Sequence, residues 1–179
     1  MDSDDWMELD AIEKMVRKQR ETGADMISGN MFVHTIYGVE EYHEPNYESK
    51  KQCILKQMPA SLEHNVIRRI IRRSLYEDNH IRAIEGCNMA EDRYQMVQLC
   101  WYANSMSSID EFVYHYDMNR LASYTKPTSW EQRLRGYMQE LRNWVGIREF
   151  FSDKSEAFFY ETTLYMVDCI EKAMKMALK

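Results

Sequence analysis

The chain has 179 residues, with 45% hydrophobic and 29% charged side chains but only 3 Pro and 6 Gly, which excludes a collagen-like, low-complexity or extensively disordered protein. This length is ordinary for one domain and predicts a single helical domain over residues 1–179, large enough to bury a core without disulfide staples. A net charge of −6 argues against indiscriminate coating of nucleic acid and leaves room for a local basic patch.

The first 20 residues are acidic and then amphipathic, without the apolar middle of a secretory signal, and no apolar run reaches the length of a membrane-spanning helix. The expectation is a soluble intracellular protein, cytoplasmic or nuclear, that does not engage a membrane. Asp5-x-x-Glu8 has the spacing of a capping pair, and Leu9, Ile12 and Val16 then recur at helical intervals up to Gly23. Phe32, Val33, Thr35, Ile36 and Tyr37 are β-branched or aromatic and Gly38 interrupts them, so a small irregular or β-like insertion is predicted near residues 30–45. Pro45 and Asn46 mark a loop, and Ser49 to Met58 reads as a short helix stopped by Pro59.

Beyond Pro59 the start signals of helices recur: Ser61, Asn88-x-x-Glu91, Ser108-x-x-Glu111, Thr128-x-x-Glu131 and Asp153-x-x-Glu156. Each is followed by an apolar face, for example Val66, Ile67, Ile70 and Ile71, or Ile109, Phe112, Val113 and Tyr116. Gly86 sits where a glycine would close the third helix, and Lys172, Lys175 and Lys179 suit the negative end of the last. Gly136 and Gly146 fall inside a helical pattern at a cost of about 1 kcal/mol each relative to Ala. Either that helix breaks near Gly146 or a neighbouring backbone approaches it closely. The predicted fold is all-α, a compact bundle of six or seven helices.

Four arginines stand out. On a helix counted from Val66, Arg68, Arg69, Arg72 and Arg73 occupy roughly 200 to 340° and the apolar residues the remaining half. With Arg82 they form a candidate anion- or nucleic-acid-binding face, since the planar guanidinium suits phosphates and carboxylates. Their counterpart is RNA, an acidic partner, or the acidic first third of the chain itself. The 12 Tyr, 4 Trp, 6 Phe and 14 Met are a second feature, because such side chains favour interfaces. Trp101, Tyr102, Tyr114 and Tyr116 are the candidate partner-binding residues, for a protein partner or a second copy in a homo-oligomer.

Catalytic signals are sparse. Cys53, Cys87, Cys100 and Cys169 show no C-x-x-C and no histidine at finger spacing, which predicts reduced buried thiols. Glu40-x-x-His43 and Glu77-x-x-His80 have the spacing of di-iron ligands on paired helices. Glu40-Glu41-x-x-Glu44 resembles the E-E-x-x-E cluster with which all-α nucleoside triphosphate pyrophosphohydrolases hold Mg²⁺, but the companion E-x-x-D is missing, since Glu63 is followed at that spacing by Val66. G-x-S-x-G, H-E-x-x-H, the P-loop and G-x-G-x-x-G are all absent from the sequence. The leading expectation is therefore a non-enzymatic helical interaction protein that self-associates, without metal or other cofactor. The second is an RNA- or phosphate-binding module, and the third a carboxylate-dependent metalloenzyme.

Overall fold

Met26 and Ile27 point to opposite sides of one strand, and that alternation organises the molecule. The computed structural model describes residues 4–59, 62–119 and 129–178; the helix starts expected at Ser61 and Thr128, and the terminal Lys179, lie outside them. β2 (Met26–Thr35) is the central strand. On one side it pairs antiparallel with β3 (Gly38–Tyr42) and, at its beginning, with β4 (Arg69–Ile71). On the other it runs parallel to β5 (Met106–Asp117), whose far edge receives the two-residue β1 (Trp6–Met7). The result is a five-stranded mixed sheet of order β1-β5-β2-β3, with β4 beside β2.

Helices cover both faces. α1 (Ala11–Thr22) ends at Gly23, whose left-handed φ of 68° lets its N–H reach the Gln19 carbonyl. Its Ala11 and Met15 pack on Ile27, Met31, Val33, Val113 and Tyr114. Met26 belongs to the opposite core, with α2 (Lys50–Gln57) and α4 (Glu91–Tyr102), through Cys53, Ile54, Met96, Val97 and Cys100. The short α3 (Arg73–Asp78) joins β4 to this layer. α5 (Trp130–Phe151) and α6 (Glu156–Ala177) form a long antiparallel hairpin that adds Trp144, Ile147, Phe151 and Phe158. Trp144 stacks on Tyr165 at 5.0 Å, and Ser129 and Ser155 cap the two helices by accepting from the N–H groups of Gln132 and Phe158.

The all-α bundle is therefore corrected to a mixed α/β fold, and the predicted insertion near residues 30–45 is part of the central hairpin. Two segments read as helices are strands. β5 carries an irregularity between Ser108 and Phe112, where the register to β2 shifts. That shift breaks the period of two, so that Ile109, Phe112, Val113 and Tyr116 imitate helical spacing. Around the arginines the predicted continuous helix is replaced by a strand over Arg69–Ile71, which the β-branched Ile70 and Ile71 favour, with helix resuming only at Arg73. Gly86 lies in a loop with φ of 73° and closes no helix. α5 runs unbroken through Gly146, where a side chain's Cβ would meet Tyr94 at 2.9 Å and Ile84 at 3.0 Å, so side chains make the close approach.

Two glycines should respond oppositely to substitution. Gly29→Ala would drive its methyl to 2.6 and 2.7 Å from the buried Val113 methyls and 3.2 Å from the Glu111 carbonyl. It is expected to destabilise by about 1–3 kcal/mol. Gly136→Ala meets only Met89 Cε at 3.6 Å and should stabilise by up to about 1 kcal/mol. Urea titrations of both variants check this pair.

Candidate active site

In open α/β sheets, ligands bind beyond the carboxyl ends of parallel strands. Here those ends are His34 and Thr35 of β2 and His115 to Asp117 of β5, which β1 brings beside Asp5, Trp6 and Glu8. Trp6 lies opposite His115 and stacks on it at 4.6 Å and 12°, and sits 4.7 Å from His34. The indole remains 43% exposed. Below it Phe32 and Phe112 stack at 4.1 Å, with the edge of His43 on Phe112. Aromatic rings and imidazoles thus pave this end of the sheet.

The polar groups are interlocked. His115 Nε2 lies 2.8 Å from Glu8 Oε1, and its Nδ1 lies 2.9 Å from His34 Nε2. An ionised Glu8 places a proton on His115 Nε2, so that Nδ1 accepts from His34 Nε2 and the chain has one direction. On the opposite face the buried Asp5 carboxylate accepts from the Tyr114 hydroxyl at 2.8 Å and from the Asp117 N–H at 2.9 Å. Asp5 therefore anchors the start of β1, which carries Trp6. This arrangement can stack a ring, bind hydroxyl groups and pass a proton along Glu8, His115 and His34.

A second polar centre lies under the sheet's other end. Glu44, buried with its side chain 3% exposed, accepts from Arg68 Nη2 at 2.6 Å and Nε at 2.8 Å, and from Arg69 Nη2 at 3.1 Å. Arg68 also donates to the Leu62 carbonyl and Asn65 Oδ1 and lies 4.7 Å over the Tyr42 ring. Arg69 donates to Ser28 Oγ and to the Glu63 and Asn65 carbonyls. Burial and the neighbouring Arg69 lower the Arg68 guanidinium from its ordinary value, whereas at Arg69 Glu44 more than offsets burial. Glu44, Asn46 and Ser108 line both a cavity of about 190 Å³, shared with Lys50, Cys53 and Arg69, and a wider groove of about 710 Å³ along Lys14 and Arg17 of α1.

The residues singled out from the sequence separate accordingly. Arg68 and Arg69 are interior, Arg72 pairs with Asp25 at 2.9 Å, and Arg73 pairs with Glu77 at 2.6 Å. Arg82 donates to the Ile81 carbonyl. The continuous helical face that an RNA-binding reading required is absent among the described residues, and the acidic first third supplies the counterions of three of these arginines. Trp101 is half-buried among Phe150, Phe151 and Phe158, and Tyr102 meets the Phe150 edge at 5.8 Å. Tyr114 is fully buried, and Tyr116 is half-buried against the α1 core. Glu40-x-x-His43 lies on and beyond a strand, and Glu77-x-x-His80 crosses a helix end, so neither lies on paired helices. Glu8, His34 and His115 were missed as a group because 26 and 81 residues separate them in sequence.

No family model and no curated protein sequence matches the chain. The class defined by fold is a mixed α/β protein built on a sheet with a parallel central pair, and solved structures share that fold. Residues 1–349 of S. aureus TarS superpose with a TM-score of 0.55 at 19% identity, over 94% of this chain and 45% of that one. The same region of TarS in complex with UDP-GlcNAc gives 0.59 at 17% identity, over 95% of this chain and 46% of that one. Its complex with UDP gives 0.54 at 17%, over 95% and 44%. The chain thus spans less than half the length of these structures. The expectation of a non-enzymatic helical interaction protein is overturned: the described residues form a mixed α/β sheet rather than a helical bundle, in a fold shared with part of TarS, a glycosyltransferase. Among the described residues, no helix is long and apolar enough to cross a membrane.

Two substitutions test the interior polar groups. Glu44→Gln removes the carboxylate between two enclosed guanidiniums and should cost about 3–5 kcal/mol in chemical denaturation. Separately, burial and Arg93 push the His64 imidazole down to about 4. The unfolded chain then binds the extra proton, so this contribution is complete above the unfolded value of about 6.5 and is lost as pH falls towards 4. His64→Gln should remove on the order of 2 kcal/mol of the stability loss between pH 7 and 4.5, read by urea titration at both pH values.

Proposed function

We propose that the chain is a portion of a nucleotide-sugar-dependent glycosyltransferase, and that the platform at the carboxyl ends of β2 and β5 forms part of its donor–acceptor site. The observation that carries this reading is a fold shared over 95% of the chain with TarS in complex with UDP-GlcNAc. The placement of Trp6, Glu8, His34 and His115 where α/β sheets bind ligands supports it. In such a reaction the acceptor hydroxyl loses its proton, its oxygen bonds the anomeric carbon, and the bond from that carbon to the diphosphate breaks, releasing UDP. The exposed indole of Trp6 offers a flat apolar face to the C–H face of a sugar ring. The Glu8–His115–His34 chain offers donors and acceptors to its hydroxyls.

Saturation-transfer NMR with UDP-GlcNAc tests the reading, with and without Mg²⁺. Saturation of the GlcNAc ring protons, competed by UDP and reduced several-fold in Trp6→Ala, is the expected result. No transfer to millimolar UDP-GlcNAc in either condition, from protein that circular dichroism shows to be folded, would overturn it.

A further inference from the structure

The four cysteines are all buried, yet they sit in two different kinds of surroundings. Cys87 and Cys169 each point a sulfur at a backbone carbonyl of α5, those of Gln139 and Tyr137, and burial pushes the Cys169 thiol up to about 11. They behave as small apolar side chains with a weak donor satisfied. Cys53 of α2 and Cys100 of α4 instead face each other, with their sulfurs 2.7 Å apart. That separation is within about 0.7 Å of a disulfide bond length, and the two helices pack side by side. Met106 Sδ at 3.6 Å and Gln57 Nε2 at 3.8 Å complete the contacts of Cys53.

Access distinguishes the two sulfurs. Cys53 forms part of the wall of the 190 Å³ cavity, together with Ser49, Lys50 and Arg69, whereas Cys100 is enclosed and does not line it. The cavity admits a molecule of the size of water or hydrogen peroxide.

We propose that Cys53 and Cys100 form a reversible dithiol–disulfide site that joins α2 to α4 beneath the Glu44 cavity, with a peroxide as its oxidant. In the first step the Cys53 sulfur attacks one peroxide oxygen. The O–O bond breaks, giving Cys53 sulfenic acid, and the second oxygen leaves as water after taking the thiol proton. Cys100 then attacks the Cys53 sulfur, forming the S–S bond and breaking S–O, and the hydroxyl leaves as a second water with the Cys100 proton. The two thiols lose two electrons in total, and the peroxide gains them. Cys53 meets the cavity and Cys100 does not, which makes Cys53 the sulfur that reacts first and Cys100 the resolving partner; burial and the adjacent Cys53 also hold the Cys100 thiol well above its ordinary range. A thiol reductant reverses the bond.

The native protein is treated with a modest excess of hydrogen peroxide, quenched with catalase, denatured and alkylated with N-ethylmaleimide. Intact mass and a peptide map follow. The expected product carries two adducts where the reduced protein carries four, has lost two hydrogens, and yields a Cys53–Cys100 linked peptide that dithiothreitol removes. Cys53→Ser and Cys100→Ser should each abolish the link, while Cys87→Ser and Cys169→Ser leave it intact. Four alkylated thiols after treatment, a link between any other pair, or a Cys53–Cys100 link that forms only once far-UV circular dichroism shows the fold is lost would each overturn the site. The wild-type map decides the matter even if a serine variant does not fold, and none of these readouts depends on glycosyl transfer.

Discussion

One interior carboxylate between two interior guanidiniums is the constraint on which this fold turns. Glu44 lies just beyond β3, Arg68 and Arg69 enter β4, and Ser28 and Asn30, which accept from Arg69 and from the Glu44 N–H, belong to β2. Three stretches of chain are thereby fixed at one edge of the sheet by groups that lose their hydration on folding. Such a cluster is tolerable only when nearly every donor is occupied. The carbonyls of Leu62, Glu63 and Asn65 complete that set, which explains why a polar turn is drawn into the interior. The cavity and groove that share Glu44 are walls left by this arrangement, held open by groups that cannot collapse onto one another without losing partners.

The opposite end of the sheet solves a different problem. There the strand ends face outwards, and the residues are held through rings and shared protons rather than full burial. Asp5 clamps Tyr114 and Asp117 from one face, so that β1, only two residues long, has a defined position and can set Trp6 over His115 from the other. A rigid support beneath an accessible aromatic surface is what recognition of a ring requires. The geometry thus assigns a structural role to one carboxylate, Asp5, and an orienting role to another, Glu8.

Much of the helical part of this architecture was legible in the apolar period, whereas the caps lie elsewhere: α1, α4 and α6 follow Asp10, Ala90 and Ser155 rather than Asp5, Asn88 and Asp153. α2, α4, α5 and α6 fall close to their predicted positions, α1 begins later than predicted at Ala11, and the strand signal is real for Phe32 to Thr35, with Ile36 and Tyr37 forming the turn into β3. The failures share one cause. In β5 the irregularity after Ser108 displaces the alternation, and Ser108-x-x-Glu111 then imitates a helix cap. Around Arg68 a run of alternating apolar and basic pairs fits a helix as well as a strand, and only the pairing of Met26, Ile27 and Ser28 with Ile71, Ile70 and Arg69 decides between them. Compositional reasoning did anticipate that the acidic first third could neutralise the arginines. It could not indicate that the contact would be internal to a sheet edge. The site itself was illegible because its members come from β1, β2 and β5, which meet only after the chain has closed.

The parallel pairing of β2 with β5 joins Ile27 to Ser107 across about 80 residues of intervening chain. Everything between them, including β3, α2, β4, α3 and α4, must be synthesised and brought into place before the central pair can close, and the entropy of that closure precedes its reward. The sheet is therefore an all-or-none assembly. A polypeptide divided anywhere in the connecting stretch yields two pieces, each with exposed strand edges and neither with the surface on which Trp6, His34 and His115 meet.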